Sequence, residues 1–317
     1  MQQTSLNKNE QERPSALSRL WRILRWMPIT TMLLTSAILL VLFLLGGTNK
    51  INGWFLSQLL TPALGLIFLV VIIIYVIVKR RFSRLLIMTL LVAVLSLFPI
   101  ILLIKPVAYP ASIASTTPSA TVRLPANVPL KVLWGGDKLE NNYHAKTPDQ
   151  RWAYDLGVAP YLTGSSNLED YGCYGIPVVA PVDGLVTYAH DGEPDMTPGV
   201  LSKNFQAPLG NHAVIQLKTG TYLVIAHLKE GSVVIKTGNT VQEGQVIGQC
   251  GNSGNTSEPH IHIHHQRQDP VVYPGDLSEG LPLYFRDHDG APMPEGGGHM
   301  EEDKVIATGD IVKHIGK

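Results

Sequence analysis

The sequence predicts a membrane-anchored β protein: three N-terminal transmembrane helices, then a mainly antiparallel β domain. Three observations carry this expectation. The first hundred residues hold three long apolar runs with almost no charge. From about residue 130 onward, short β-rich runs alternate with turn residues. Between the two regions lies a stretch dominated by Pro, Ala, Ser and Thr.

The apolar runs are Met27 to Leu45, Phe55 to Val78 and Leu85 to Ile104. A membrane-spanning helix needs about 20 mainly apolar residues to cross a hydrocarbon core about 30 Å thick, and all three runs meet that length. Pro62 and Pro99 fall inside two of them, which spanning helices tolerate better than soluble ones. None of the runs carries an internal charge. Ion and proton paths ordinarily need one, so residues 27–104 read as an anchor in the lipid bilayer. The basic residues give its orientation. Lys8, Arg13, Arg19, Arg22 and Arg25 precede the first run and Lys79, Arg80, Arg81 and Arg84 fill the second connection, whereas the first connection holds only Lys50. Short cytoplasmic segments are enriched in Lys and Arg. Residues 1–26 are therefore expected in the cytoplasm and everything after Lys105 outside it, in a multi-pass protein of the cell membrane.

Residues 105–129, with "PVAYPASIASTTPSATVRLPANVP", show no apolar periodicity and read as a partly extended linker reaching at most roughly 70 Å. Residues 130–317 are long enough for one domain with a sizeable core. The charges balance, 25 Lys and Arg against 25 Asp and Glu, which argues against nucleic acid as a partner.

Within this region "IPVVAPVDGLVTYA" holds two short runs around Asp183-Gly184, a hairpin-type pair. "HAVIQLKTGTYLVIAHL" repeats the design around Thr219-Gly220, and "GSVVIKTGNTVQEGQVIGQC" adds further short strands between glycines. The last strand, "PHIHIHH", alternates isoleucine with histidine. Residues two apart on a strand share a face, so His260, His262 and His264 point one way, and Ile261, Ile263 and His265 the other. Same-face neighbours lie about 7 Å apart, close enough for one imidazole to bind a metal while the next reaches a water or substrate on it. Alone, the pattern fits a metal site, an adventitious metal binder or a polar sheet face equally.

Other segments tip that balance. "NNYHAKTPDQRWAYDLGV", "CYGIPVVAPVDGLV", "GNHAVIQL" and "LVIAHLKEGSVVIKTGNTVQEGQVIGQCGNSGNTSEPHIHIH", in this order and spacing, resemble the lysostaphin/LytM-type zinc metallopeptidases, many of which cut peptides of the bacterial cell wall. The resemblance covers most of residues 131 to 286. It implies a LytM-type β domain and a Zn2+ cofactor. His144, Asp155 and His262 would be the metal ligands, and His227 of the "AHL" motif and His260 the catalytic pair. In one place the chain departs from the family pattern. The commonest early motif is HxxxD, which reads "RWAYD" here, and Arg151 cannot ligate zinc because arginine keeps its proton. The resemblance then takes the histidine from the preceding "NYH", which is His144.

The chemistry is coherent without the family. Catalytic zinc keeps three protein ligands and an open position, lowers the pKa of a bound water and polarises a carbonyl, and a nearby imidazole exchanges protons at physiological pH. His264 reads as a supporting or surface residue and His212 as structural. His190, His288, His299 and His314 read as solvated loop histidines. Asp183, Asp191 and Asp195 read as turn residues, Tyr154 as strand packing and Asn211 as a backbone bracer. Cys173 and Cys250 fall in the outer region, where disulfides form, and are expected to pair. The expected function is a membrane-anchored zinc metalloendopeptidase acting on peptidoglycan peptide or another extracytoplasmic peptide. The alternative is a non-catalytic LytM-type module that binds and activates another wall hydrolase.

Overall fold

The computed structural model describes residue 20 and residues 23–202, 204–273, 275–302 and 304–316. Lys8, Arg13, Arg19 and Arg22, which carry part of the orientation argument, lie outside the described residues. The chain divides into two compact units, Met1–Lys105 and Pro106–Lys317.

The first unit is helical. α1 spans Met27–Leu45, α2 Gly47–Lys79, α3 Arg84–Leu95 and the short α4 Ile100–Ile104. Three helical stretches, Met27–Leu45, Gly47–Lys79 and Arg84–Leu102, are long and apolar enough to cross a membrane, with mean hydropathies of 2.3, 2.8 and 2.9. Two boundaries differ from the sequence expectation. α2 begins eight residues before Phe55, because "GTNKINGW" continues the helix and only Gly46 separates it from α1. At 33 residues it is about 50 Å long at 1.5 Å per residue. The third run is interrupted by a turn over residues 96–99 that ends at Pro99, whose missing N–H and ring disfavour an unbroken helix. Glycines set the helix contacts. A Cβ on Gly53 would stand 2.9 Å from Leu39 O, and one on Gly65 2.7 Å from Ala93 O, so these backbones approach as closely as small residues permit in apolar helix pairs.

The second unit is built on an eight-stranded antiparallel sheet. In chain order the strands are β1 (Ala120–Arg123), β2 (Leu130–Trp134), β3 (Tyr154–Gly157), β4 (Pro177–Val179), β5 (Gly184–His190), β6 (Asn211–Gln216), β7 (Tyr222–Leu228), β8 (Thr240–Val241), β9 (Val246–Gln249), β10 (Ile261–Gln266), β11 (Leu283–Arg286), β12 (Gly298–Glu301), β13 (Lys304–Ala307) and β14 (Ile311–Val312). The main sheet runs β14-β2-β3-β10-β7-β6-β5-β8, and smaller two-stranded sheets pair β4 with β9, β1 with β11 and β12 with β13. The turn at Thr219-Gly220 does join a hairpin, β6 to β7. Asp183-Gly184 does not: β4 pairs with β9 and β5 with β6 and β8, so the chain changes sheets there. Alternation places Leu130, Val132, Tyr154, Leu156, Ile261 and Ile263 in one buried core with Val122, Leu124, Val186, Ile215, Ile225 and Phe285.

The segment expected to be an extended linker is folded against this unit. Tyr109, Ala120, Val122, Leu124 and Ala126 are buried, and β1 pairs in parallel with β11. Arg151, the residue in the place of the usual motif histidine, helps to hold it: Nε donates to Tyr109 O at 3.1 Å and Nη1 to Asp137 O at 2.8 Å. Cys173 and Cys250 are joined by a disulfide, as expected.

Candidate metal centre

The site forms where β3, β10 and β7 lie side by side at the middle of the main sheet. The β3–β10 register sets His262 opposite Asp155, and the β10–β7 register sets it opposite Ala226. Period-two alternation turns Ile261 and Ile263 into the core and His262 and His264 to the other face. His260 directly precedes β10. His144 comes from a 3₁₀ turn, Tyr143–Lys146, capped by Asn142, whose Oδ1 accepts from His144 N at 3.1 Å. His227 arrives from near the end of β7, where the β6–β7 ladder shifts register. Its φ of +62° lies in the left-handed region that costs a non-glycine residue about 1–3 kcal/mol.

All five residues predicted from the sequence converge. His262 Nδ1 lies 2.9 Å from Asp155 Oδ1, His260 Nε2 3.3 Å from the same oxygen, and His144 Nε2 3.4 Å from Asp155 Oδ2. The His227 ring stands 4.8 Å from that of His260 and 5.7 Å from that of His262, centroid to centroid. All five are more than nine-tenths buried. Two overlapping groups bring their donor atoms within 4.8 Å of one another: His144, Asp155 and His262, and His227, His260 and His262.

Three of the rings have their tautomers fixed by oxygen acceptors. His227 Nδ1 faces Ser253 O at 2.8 Å and His260 Nδ1 faces Glu258 O at 2.8 Å. A carbonyl can only accept, so each Nδ1 carries a hydrogen, and in the neutral ring each Nε2 turns a lone pair to the site. His144 Nδ1 faces Asn142 Oδ1 at 2.9 Å. The Asn142 amide is oriented by its Nδ2, which donates to Gly136 O at 2.9 Å and Ala153 O at 3.1 Å, so His144 also presents Nε2. The Ser253 carbonyl is held in place by two glycines. A Cβ on Gly210 (φ +56°) would stand 2.4 Å from Ser253 backbone atoms, and one on Gly254 (φ +88°) 2.4 Å from Gly210 N. No larger residue lets these two loops meet.

The electrostatics suit a cation. Burial holds His144 down to about 3, against the pull of Asp155. Burial, with His260 and His262, puts His227 well below its usual range. For Asp155, burial alone would raise the pKa, but His144, His260 and His262 outweigh it and keep the carboxylate ionised. His260 is raised, because Asp155 and the Glu258 carbonyl overcome its burial. Among the described residues, every ion-pair partner of Asp155 is an imidazole. A buried carboxylate whose ion-pair partners among the described residues are all imidazoles, with no lysine or arginine among them, is a set of donors that a divalent ion could join. Two histidines and one aspartate match the donors zinc prefers, and three protein ligands leave a fourth position open.

The site opens into a cleft of about 940 Å³, lined along its length by residues that include Phe205, Leu209, His212, His227, His262 and Val271. His212 and His190, expected to be structural and solvated, both line this cleft with rings 5.8 Å apart. His265 faces away and meets Thr221 Oγ1 at 2.7 Å. Asn211 is the bracer expected, with Nδ2 donating to Glu193 O at 2.7 Å and Leu228 O at 3.1 Å. Asp191 and Asp195 accept backbone N–H groups in the turns. Tyr143 was not anticipated as a site residue. Its hydroxyl donates to Asp155 Oδ2 at 3.0 Å and its ring stacks on His144 at 4.0 Å. The "NYH" segment contained it, but nothing in the spacing set it apart from a packing tyrosine. His264 Nδ1 lies 2.9 Å from His262 Nε2, on the side away from Asp155.

Comparison with known proteins adds the following. Residues 169–274 match the model of Peptidase family M23, a segment that contains His227, His260 and His262 and begins after His144 and Asp155. The chain is 29% identical over 132 residues to the peptidoglycan DD-endopeptidase ShyA of Vibrio cholerae, an alignment covering 40% of this chain and 28% of that protein's length. Among solved structures it is similar to the antimicrobial peptidase lysostaphin from Staphylococcus simulans, at 18% identity and a TM-score of 0.31, covering 48% of this chain and 47% of that one. It is also similar to a putative glycyl-glycine endopeptidase lytM from Ruminococcus gnavus, at 21% identity and a TM-score of 0.26, covering 41% and 42%.

Proposed function

We propose that this chain is an M23-type zinc endopeptidase, anchored in the cell membrane, that hydrolyses peptide bonds of bacterial cell-wall peptidoglycan. The observation that carries the reading is the convergence of His144 Nε2, Asp155 and His262 Nδ1 at the floor of an open cleft, with His227 and His260 beside them. These three are the proposed ligands. The grouping with the carboxylate is preferred over the three-imidazole one because it partly neutralises a divalent charge in a buried place. Bound there, zinc supplies a lowered pKa for a coordinated water and polarisation of the scissile carbonyl.

The protein's own groups do the rest. His260 Nε2 faces the centre with its ring oriented by Glu258 O; it is placed to take the proton of the attacking water and return it to the departing amine. His227, oriented by Ser253 O with its ring 4.8 Å from that of His260, turns its Nε2 to the same centre, where it would steady the developing charge. A positioned acid/base of this kind contributes about 10²–10⁴-fold. The cleft, flanked by Phe205 and Val271, suits an extended peptide, and the relative that cuts peptidoglycan supports the wall as its source. The Lys79–Arg84 cluster between the second and third spans, under the positive-inside rule, supports an extracytoplasmic β unit, as does its disulfide.

The test is a digest of purified peptidoglycan by the full chain in detergent, with and without a chelator. Soluble muropeptides that vanish on chelation and return with zinc are the expected result. Zinc binding without any cleavage would instead favour the non-catalytic module.

A further inference from the structure

His262 differs from His227 and His260 in how its ring is oriented: among the described residues it makes no hydrogen bond to a backbone carbonyl. Instead a chain of side chains runs away from it along the same face of β10. His262 Nε2 meets His264 Nδ1 at 2.9 Å, and His264 Nε2 meets Gln266 Oε1 at 2.9 Å. Gln266 Nε2 donates to Gln268 O at 2.7 Å and to Ser278 Oγ at 3.4 Å. The direction of the chain is set at its far end. The Gln268 carbonyl can only accept, so the Gln266 amide must turn its NH₂ outward and its Oε1 toward His264. That oxygen also only accepts, so the His264 hydrogen sits on Nε2 and His264 Nδ1 is an acceptor. The hydrogen between the two imidazoles therefore belongs to His262 Nε2, and Nδ1 is the atom that faces Asp155 Oδ1 at 2.9 Å; a carboxylate oxygen only accepts, so Nδ1 donates to it until a cation takes that place. The first two links are buried, with His262, His264 and Gln266 between 1% and 3% exposed, and the third, to the Gln268 carbonyl, is partly buried.

We propose that His264 and Gln266 are positioning residues, anchored on the Gln268 carbonyl, that hold His262 as the Nε2–H form and so dedicate its Nδ1 to the metal. The proposal rests on the zinc reading above only for the identity of the ion. Partners that fix a ligating imidazole in this way are typically worth 10–100-fold in metal affinity.

The experiment uses the full chain in detergent micelles, labelled with ¹⁵N-histidine. It reads two quantities: zinc affinity by competition with a chelating dye, and the His262 Nε2–H signal in long-range ¹H–¹⁵N spectra. Gln266→Leu keeps the volume and removes the acceptor; it should weaken zinc binding about 10–100-fold and abolish the protected Nε2–H signal. Gln266→Glu keeps the acceptor oxygen but loses the bond to the Gln268 carbonyl; it should bind zinc more tightly than Gln266→Leu. A second pair reads the same contrast if the first misfolds: His264→Gln can still accept from His262, and His264→Leu cannot. Unchanged affinity and signal in Gln266→Leu and His264→Leu would overturn the proposal. So would equal loss in Gln266→Glu and Gln266→Leu, which would mean that shape matters and the acceptor does not. If the parent binds no zinc, the metal reading fails by itself, while the Nε2–H signal with and without the acceptor still decides the relay.

Discussion

The Tyr143 hydroxyl donates a 3.0 Å hydrogen bond to Asp155 Oδ2 while the Tyr143 ring lies stacked on His144, so one side chain touches both of the proposed early ligands. Burial, with Asp155 adjacent, pushes this phenol well above its usual pKa, so it remains a donor across the physiological range. Tyr143→Phe should keep the stacking and lose the bond. The expected result is about 10-fold weaker zinc binding with little change in melting temperature. Unchanged affinity in a dye competition would show that Asp155 needs no help from this hydroxyl.

His144, His260 and His262 should fail differently. His144→Ala and His262→Ala each leave two protein ligands and should lose the metal and activity together. His260→Ala should retain zinc and slow turnover by roughly 10²–10⁴-fold. Zinc content per chain, measured beside cleavage rate, separates the cases. Equal zinc loss in the His260 and His262 variants would make both of them ligands.

Asp149 gives the outer unit a pH dependence. Burial, reinforced by Asp276, raises its carboxyl from an ordinary 3.8 to about 7; it is 5% exposed and its Oδ1 has no hydrogen-bond partner among the described residues. The folded state therefore binds a proton more tightly than the unfolded chain does. This group's contribution is fully favourable below about pH 4, is lost as pH rises toward 7, and is constant above that. A difference of that size corresponds to about 4 kcal/mol. Asp149→Asn should leave stability near pH 4 unchanged and raise it near pH 8, as read by urea unfolding at the two pH values. A variant less stable at both would show the carboxylate to be a structural acceptor.

The disulfide closes a loop between positions separated by 77 residues. In the chain-entropy model such a loop is worth roughly 4 kcal/mol. Reduction, or replacement of Cys173 and Cys250 by serine together, should lower the unfolding midpoint of the outer unit accordingly. Thiol labelling of the native, unreduced chain should find neither cysteine.

A reporter joined to the C-terminus tests the orientation. It should be active only when the reporter functions outside the cytoplasm, given the basic clusters at the N-terminus and over Lys79–Arg84. Activity confined to cytoplasmic reporters would invert the topology.

Particular residues show what the sequence could and could not convey. The "HIHIH" alternation was legible because a strand has a period of two, and the pairing of His262 with Asp155 realises it directly. His144 was reachable only through its motif, since a 3₁₀ turn has no periodicity and lies eleven residues from its partner. The 105–129 segment misled because proline-rich composition hides burial: Val122 and Leu124 are interior, yet they sit on a four-residue strand and just past it, too short to declare a pattern. Tyr143, Gln266 and the Gln268 carbonyl contribute individual hydrogen bonds whose geometry no residue pattern announces. Composition carries no trace of those.

The backbone at His227 has an evolutionary reading. The residue sits at φ +62°, where glycine would rest at no backbone cost. Glycine there would relieve the backbone but leave the Ser253 carbonyl without its imidazole partner. An imidazole kept in an uncomfortable posture suggests a chain answerable to something besides its own durability.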